Sequence, residues 1–422
     1  RFDMEGLSDA NGLLIQEVAG GTALRIGLKP GDQLLELNGV ELNDMDILQS
    51  EMDAYRRGDS LSVVIQRDKQ KKTIDGLFEG RPKETHEKSE VIYTSAPYRD
   101  GLLRVIINKP FTEEERKPAL LFIPGYTCTS VDNLSSNHPY KRIVDAFVDA
   151  GYVVLRIEKS GMGDSWNTPP CIDEDFHSEV ESFRVGLEKL RSLAYVDPHR
   201  IVMYGHSMGG VVAPAISSEE DVAGVIVYGT SARSWFEYNL ELRRLQNRLA
   251  GQSPVEVERS VMEQYEALYR FYIQKEPLAE ITQDARLDSL VRRSWGYDGD
   301  GRIFSRNKQY WSQIQDFRYM ENWKKTTAHV LVQFGESDFQ AFSRDDHEQI
   351  VRAVNFYNPG HGTLQVFEYT DHYFARSGTM QDAFDKLTGG QTLQLFEEYN
   401  PEVGQSAVEW SNTVIGRNGG LN

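Results

Sequence analysis

Cysteine is scarce in this chain: Cys128 and Cys171 are the only two among 422 residues. That excludes a small fold stapled by a disulfide framework and leaves room for one bridge or two thiols. Positive charge is also in short supply, with 46 Lys and Arg against 64 Asp and Glu and a formal net charge of -18. Such a surface repels phosphate backbones, and no Lys/Arg cluster with interleaved aromatics offsets it locally, so nucleic acid is not an expected partner. Long apolar runs are missing as well. The longest, near residues 119–123 and 223–227, fall far short of the ~20 residues that cross a bilayer, and they read as buried strands. No transmembrane segment is expected. What is present, 40% hydrophobic residues, 26% charged residues and 35 glycines, is the composition of a soluble globular enzyme. A chain of this length predicts more than one core. It opens on Arg1 rather than Met, which leaves compartment open; the expectation is a soluble, bacterial protein, exported if a signal peptide once preceded this segment.

Residues 1–80 read as a compact module of short strands, such as 13–15 and 61–65, with one helix over 43–55 capped by Asn43. The stretch 79–88 is polar, carries Pro82 and has no hydrophobic periodicity, which is the pattern of a linker. The predicted division is a first domain over 1–80, a linker over 81–90 and a second domain over 91–422. In the second domain, apolar strands at 119–123, 153–157, 201–204, 225–228, 330–334 and 364–369 alternate with helical stretches. That alternation builds a mostly parallel sheet with crossover helices. Between Tyr228 and Val330 it gives way to about a hundred residues with helical periodicity and no convincing strand, predicting an inserted helical cap over about 232–326.

The strand 201–204 runs into Gly205-His206-Ser207-Met208-Gly209-Gly210 and then an apolar helical stretch. This is G-x-S-x-G in the strand-turn-helix context that lifts a serine hydroxyl clear of a sheet, so Ser207 is the predicted nucleophile. His206 and Met208 read as pocket wall. A hydroxyl needs a base within reach and an acid to orient that base. The strand 330–334 ends in Gly335-Glu336-Ser337-Asp338, which makes Asp338 the predicted acid, with Glu336 as its competitor. The next strand ends in Thr370-Asp371-His372, which makes His372 the predicted base and Asp371 a turn or capping residue. Backbone N–H groups that would hold a developing oxyanion are expected at Met208, directly after the serine, and at Tyr126, or failing that Thr127, in the loop after strand 119–123. Cys128 in that loop reads first as a packed thiol, with a bridge to Cys171 as the alternative.

Five motifs in order carry a resemblance: Pro124-Gly125-Tyr126, Ser160-Gly161-Met162-Gly163-Asp164-Ser165, Gly205-His206-Ser207-Met208-Gly209, Gly335-Glu336-Ser337-Asp338 and Asp371-His372. From about residue 90 the chain resembles the α/β-hydrolase superfamily. The resemblance implies an eight-stranded, mostly parallel sheet, a triad of Ser207, Asp338 and His372, and a cap between strands six and seven. Pro124 stands where many members carry a histidine. Residues 10–70 resemble a bacterial-type PDZ domain through Val18-Ala19-Gly20-Gly21-Thr22-Ala23, Gly27-Leu28-Lys29-Pro30-Gly31-Asp32 and Leu37-Asn38-Gly39. Such domains add an extended peptide or a protein C-terminus to a sheet edge.

The expectation is therefore an α/β fold: an α/β-hydrolase domain with a helical cap, preceded by a PDZ-like β-rich domain. Its activity would be that of a serine hydrolase cleaving an ester, with no cofactor and no metal. Its substrate would be a small-molecule ester or an acylated or peptide compound. Peptidase or amidase, thioesterase or acyl transferase, and an inactive binding protein are the competing readings. In the cap, Trp235, Tyr238, Tyr265, Tyr269, Phe271, Tyr272, Tyr310 and Trp311, interleaved with Arg243, Arg244 and Arg292, suggest an aromatic or hydrophobic acyl pocket. Asp164 and Trp166 are expected in another loop facing it.

Overall fold

The computed structural model describes residues 2–9, 12–42, 47–48, 51–52, 55–80 and 83–419. The helix expected over 43–55 therefore falls largely outside the described residues. Six strands form the N-terminal sheet: β1 (Phe2–Asp9), β2 (Gly12–Gly20), β3 (Gln33–Leu37), β4 (Val40–Glu41), β5 (Ser60–Arg67) and β6 (Gln70–Leu77). Their order is β1-β2-β3-β5-β6, with β4 paired to β3. Strand β5 shows why the sheet forms: Leu61, Val63 and Ile65 alternate with more exposed neighbours, so one face joins Leu13, Leu34 and Leu37 in a shared core. Two tight hairpins fix the register. Asn38 and Gly39 join β3 to β4, and Asp68 and Lys69 join β5 to β6, all four with positive φ, the backbone of a two-residue turn that matches strand twist. The buried Asp32 accepts two bonds from the Arg67 guanidinium, at 2.6 Å each, and so ties the loop before β3 to β5.

The second sheet has eight strands: β7 (Ser89–Tyr98), β8 (Gly101–Pro110), β9 (Lys117–Ile123), β10 (Val153–Ile157), β11 (Val196–His206) and β12 (Gly224–Tyr228), then, beyond the cap, β15 (His329–Gly335) and β16 (Gly362–Phe367). The order is β16-β15-β12-β11-β9-β10-β8-β7, parallel from β16 to β10 and antiparallel for β8 and β7. The mixed, mostly parallel eight-stranded sheet is as expected. Strands β9, β10 and β12 are buried at every position because helices cover both faces, which is why they read as continuous apolar runs. Helices Pro139–Asp149 and Pro401–Gly419 cover one face. Helices Phe176–Arg191, Gly209–Ser217 and Arg344–Tyr357 cover the other, where the cap also packs.

Between β12 and β15 the cap starts its first two long helices with capping boxes, Ser234 with Glu237 and Ser253 with Glu256, each satisfying backbone donors that a helix start leaves free. The cap is helical as expected, with one correction: a hairpin of β13 (Arg302–Ile303) and β14 (Arg306–Asn307) lies inside it. Two residues per strand are too few to leave a period-2 signal. Residues 83–88 are also held more firmly than a polar stretch suggests. Glu84 sits in a two-point bond to the fully buried Arg156 on β10, at 2.9 and 2.7 Å.

Candidate active site

Strand β11 lies between β9 and β12 in the middle of the sheet, and its last residue, His206, precedes Ser207. The serine has φ 55°, in the left-handed region that non-glycine residues avoid. Two bonds hold it there: the Ser207 N–H donates to the Tyr228 carbonyl at 2.9 Å, and its carbonyl accepts from the Gly210 N–H at 2.8 Å. The turn requires its glycines. A Cβ on Gly205 would lie 2.3 Å from the Gly209 carbonyl oxygen, and one on Gly209 would lie 2.2 Å from that of Ile123.

Asp338 follows β15 in a turn and is fully buried. One carboxylate oxygen accepts the N–H groups of Gln340 and Ala341, at 2.8 and 2.7 Å; the other meets Nδ1 of His372 at 2.7 Å. Burial pushes this carboxyl up, but His372 and the two N–H donors outweigh it, and the acid stays ionised below the ordinary carboxylate range. Gly229, at φ 60°, makes room for the pair: a Cβ there would lie 2.9 Å from the Asp338 carboxylate and 3.0 Å from His372 Nδ1. The competitor Glu336 is at the surface, 3.7 Å from Arg344. Asp371 serves the turn, as expected, accepting the N–H groups of Tyr373 and Ala375 at 2.8 and 2.9 Å. Burial raises its carboxyl to about 6.

Ser207, Met208, Tyr126 and His372 line one cavity of about 470 Å³, counted to its open mouth, together with Val211, Trp235, Tyr238 and Tyr319. All five site residues expected from the sequence therefore converge, Asp338 directly behind His372. Of the eight cap aromatics expected there, Trp235 and Tyr238 line this cavity, their rings stacked at 4.5 Å, and Tyr319, a cap aromatic outside that set, joins them. Phe271, Tyr272, Tyr310 and Trp311 are core, whereas Tyr265 and Tyr269 face solvent. Arg244 and Arg292 pair with Glu241 and Asp288 on their own helices. Two other expectations are corrected. Trp166 is exposed and bridges to Leu102 on β8, with Asp164 3.8 Å from Arg104, so that loop turns toward the sheet's antiparallel edge. Cys128 is no packed thiol but is bonded to Cys171, with their Cα atoms 5.8 Å apart. The loop after β9 and the turn Cys171–Asp173 lie close enough for a bridge that the spacing of 43 residues does not require.

Sequence reasoning missed the residues that hold the loop after β9. Lys159, buried after β10, donates to the Gly125 carbonyl at 2.6 Å and to Glu179 at 3.2 Å. Arg306, on β14 of the cap, donates to the Tyr126 carbonyl at 2.7 Å and to Glu179 at 2.7 Å. His206, expected in the pocket wall, instead ties three loops together. Burial, with His372 beside it, pulls its imidazole down to about 3, so the ring is neutral. Its Nε2–H donates to the His372 carbonyl at 2.8 Å, and Nδ1 accepts from the Tyr140 hydroxyl at 2.8 Å, which in turn accepts the Gly125 N–H at 3.3 Å.

The sequence matches a family model described as "Alpha/beta hydrolase family" over residues 120–384, well over half of the chain. Residues 2–75 match a model of the PDZ domain. No curated protein matches the sequence. Solved structures with a similar fold include Est1E from Butyrivibrio proteoclasticus with ferulic acid bound, at 15% identity and TM-score 0.44, covering 72% of this chain and 99% of that one. The esterase domain of a Rhodothermus marinus protein is similar at 15% identity and TM-score 0.42, over 73% of this chain and 99% of that one. An acylaminoacyl peptidase from Pyrococcus horikoshii is similar at 13% identity and TM-score 0.46, over 93% of this chain and 53% of that one.

Proposed function

Because the chain belongs to the alpha/beta hydrolase family, we propose that it is a serine hydrolase that cleaves a carboxylic ester through an acyl-enzyme on Ser207. The observation that carries this reading is the buried 2.7 Å bond between His372 and Asp338 beside a serine in strained backbone, with base and serine on one cavity. Asp338 holds Nδ1–H of His372, which leaves Nε2 unprotonated to accept the Ser207 proton as the hydroxyl attacks the ester carbonyl. The N–H groups of Met208 and Tyr126 take the charge that develops on the carbonyl oxygen, an effect typically worth about 3–4 kcal/mol per donor. His372 then protonates the leaving alcohol and later activates the water that frees the acid. No cofactor or metal enters this scheme. Val211, Trp235, Tyr238 and Tyr319 give the cavity an apolar, aromatic wall that suits a hydrophobic or aromatic acyl group.

A second reading has its own support. In the N-terminal sheet β1 is an edge strand, paired on one side to β2, which is where a PDZ domain adds an extended peptide. Capture of a peptide or protein C-terminus there, by a domain spanning residues 1–80, would favour a peptidase or amidase. The two readings separate on matched ester, thioester and anilide substrates carrying one acyl group. Ester cleavage should be fastest and should be lost in Ser207→Ala. Faster anilide cleavage would replace esterase with peptidase, and faster thioester cleavage would make it a thioesterase.

A further inference from the structure

We infer that Lys159 and Arg306 are positioning residues for the oxyanion loop, and that through Arg306 the cap is a working part of the oxyanion hole as well as a cover over it. This rests on the assignment of Ser207 as nucleophile and of the Tyr126 N–H as an oxyanion donor.

The argument begins with peptide geometry. In a trans peptide the C=O of one residue and the N–H of the next point in opposite directions. Fixing the Gly125 carbonyl on the Lys159 ammonium therefore fixes the Tyr126 N–H, aimed away from Lys159 and toward the cavity that Tyr126 lines. Fixing the Tyr126 carbonyl on Arg306 does the same for the Thr127 N–H. Both peptide planes that flank Tyr126 are thus held from behind by buried cations. Gly125 cannot hold its own plane, since without a Cβ it has the widest choice of backbone angles. Its Cα also approaches the nucleophile: a Cβ there would lie 3.3 Å from the Ser207 Cβ, so a stiffer residue would crowd the serine.

The cations are themselves held. Glu179, on helix Phe176–Arg191, binds Lys159 through one oxygen and Arg306 through the other, and the Tyr310 hydroxyl donates to the first of these at 3.1 Å. The Arg306 guanidinium lies 4.0 Å from the Tyr310 ring centroid. All four side chains are buried. Two cations share Glu179, and the buried Glu174, which also acts on Arg306, pairs with Arg99 at 3.0 Å, so three cations meet two carboxylates behind the loop, in a dry setting where such charge favours a developing anion. Burial also pulls the Lys159 ammonium down to about 8, as expected for a cation without full compensation.

Arg306 belongs to the cap hairpin, the only one of the three charges that does. A second tie runs in parallel: Cys128, two residues beyond Tyr126, is bonded to Cys171, and Asp173 of that turn pairs with Arg302 of the same hairpin at 2.8 Å. The loop is thereby fastened to the cap twice, and displacement of the hairpin would release the peptide plane after Tyr126.

Arg306→Gln tests this in the full chain. It leaves Glu179 neutralised by Lys159 but frees the Tyr126 carbonyl. The expected result is kcat lowered about 10- to 100-fold with KM within about twofold, because Tyr126 is then held on its Gly125 side alone and its N–H loses its aim at the oxyanion, while the bound ester keeps its contacts. Affinity for a trifluoromethyl ketone bearing the same acyl group, which forms a tetrahedral adduct with the serine, should fall by the same factor. Both values are referred to protein titrated by a fluorophosphonate, so loss of folded sites is removed from the comparison. Unchanged kcat and ketone affinity per titrated site would overturn the proposal, as would equal changes in kcat and KM. If Arg306→Gln gives no folded protein, Arg306→Lys is read by the same criteria, since one ammonium cannot reproduce the guanidinium's two-point hold. Failure of the underlying assignment looks different: the wild-type protein would then not be labelled at Ser207 at all.

Discussion

Replacing Asp338 by Asn changes one atom in a fully buried group and tests the acid's role. The oxygen that accepts the Gln340 and Ala341 N–H groups is retained, so the turn after β15 keeps its bonds and the fold is expected to survive. The oxygen 2.7 Å from His372 Nδ1 becomes an amide NH2, which is a donor. Nδ1 must then accept, the ring proton moves to Nε2, and the face toward Ser207 can no longer take a proton. Loss of the correct tautomer lowers turnover about 10⁴-fold in hydrolases with this chemistry, equivalent to about 5.4 kcal/mol of barrier. The assay is kcat on a p-nitrophenyl ester, with circular dichroism and the unfolding midpoint confirming a native fold. A folded Asp338→Asn variant within tenfold of wild type would refute the reasoning and return the acid's role to another carboxylate.

Three further outcomes follow from particular contacts. Gly229→Ala forces a Cβ to within about 3 Å of both Asp338 and His372 at a positive φ, and kcat should fall about 100-fold or more in a folded protein; retention of wild-type kcat would show that the pair need not sit as described. Unfolded histidine takes up a proton near pH 6.5, whereas the buried His206 does so only near 3. Its contribution to stability is therefore full above pH 6.5 and lost as pH falls toward 3, by about 1.4 kcal/mol per pH unit. Urea unfolding at pH 6.5 and 5 should show about 2 kcal/mol of this loss in wild type that is missing from His206→Gln, and equal losses in both would contradict it. Glu84→Ala strands the charge of Arg156 on β10 and should cost about 3–5 kcal/mol of unfolding free energy, where a loose linker residue would cost almost nothing.

The parts of the site legible in the sequence are those whose signals are local. Ser207 announces itself because the sharp turn demands Gly205 and Gly209 around it, and Asp338 and His372 because each lies in the loop after a strand, in a fixed chain order. The parallel part of the sheet was legible for a similar reason, since β9, β10 and β12 are unbroken apolar runs, whereas the antiparallel strands β7 and β8 were implied only by the resemblance. What stayed hidden depends on pairing across the fold. Glu179 meets Lys159 across 20 residues and Arg306 across 127, and nothing in a charged residue's neighbours along the chain says that it is buried or with what. The same holds for Glu84, whose polar surroundings read as a linker while its partner lies 72 residues on. His206 reads as pocket wall in the sequence, and its bracing role is hidden because its two ring partners, Tyr140 and the His372 carbonyl, lie 66 and 166 residues away.

The central claim is that Ser207 is the nucleophile of this alpha/beta hydrolase. Its most direct test is to treat wild type and Ser207→Ala with a fluorophosphonate and locate the adduct by peptide mass spectrometry. The account predicts one adduct, on Ser207, in wild type and none in the variant. A well-folded wild type that carries no adduct, or carries it on another residue, would contradict it.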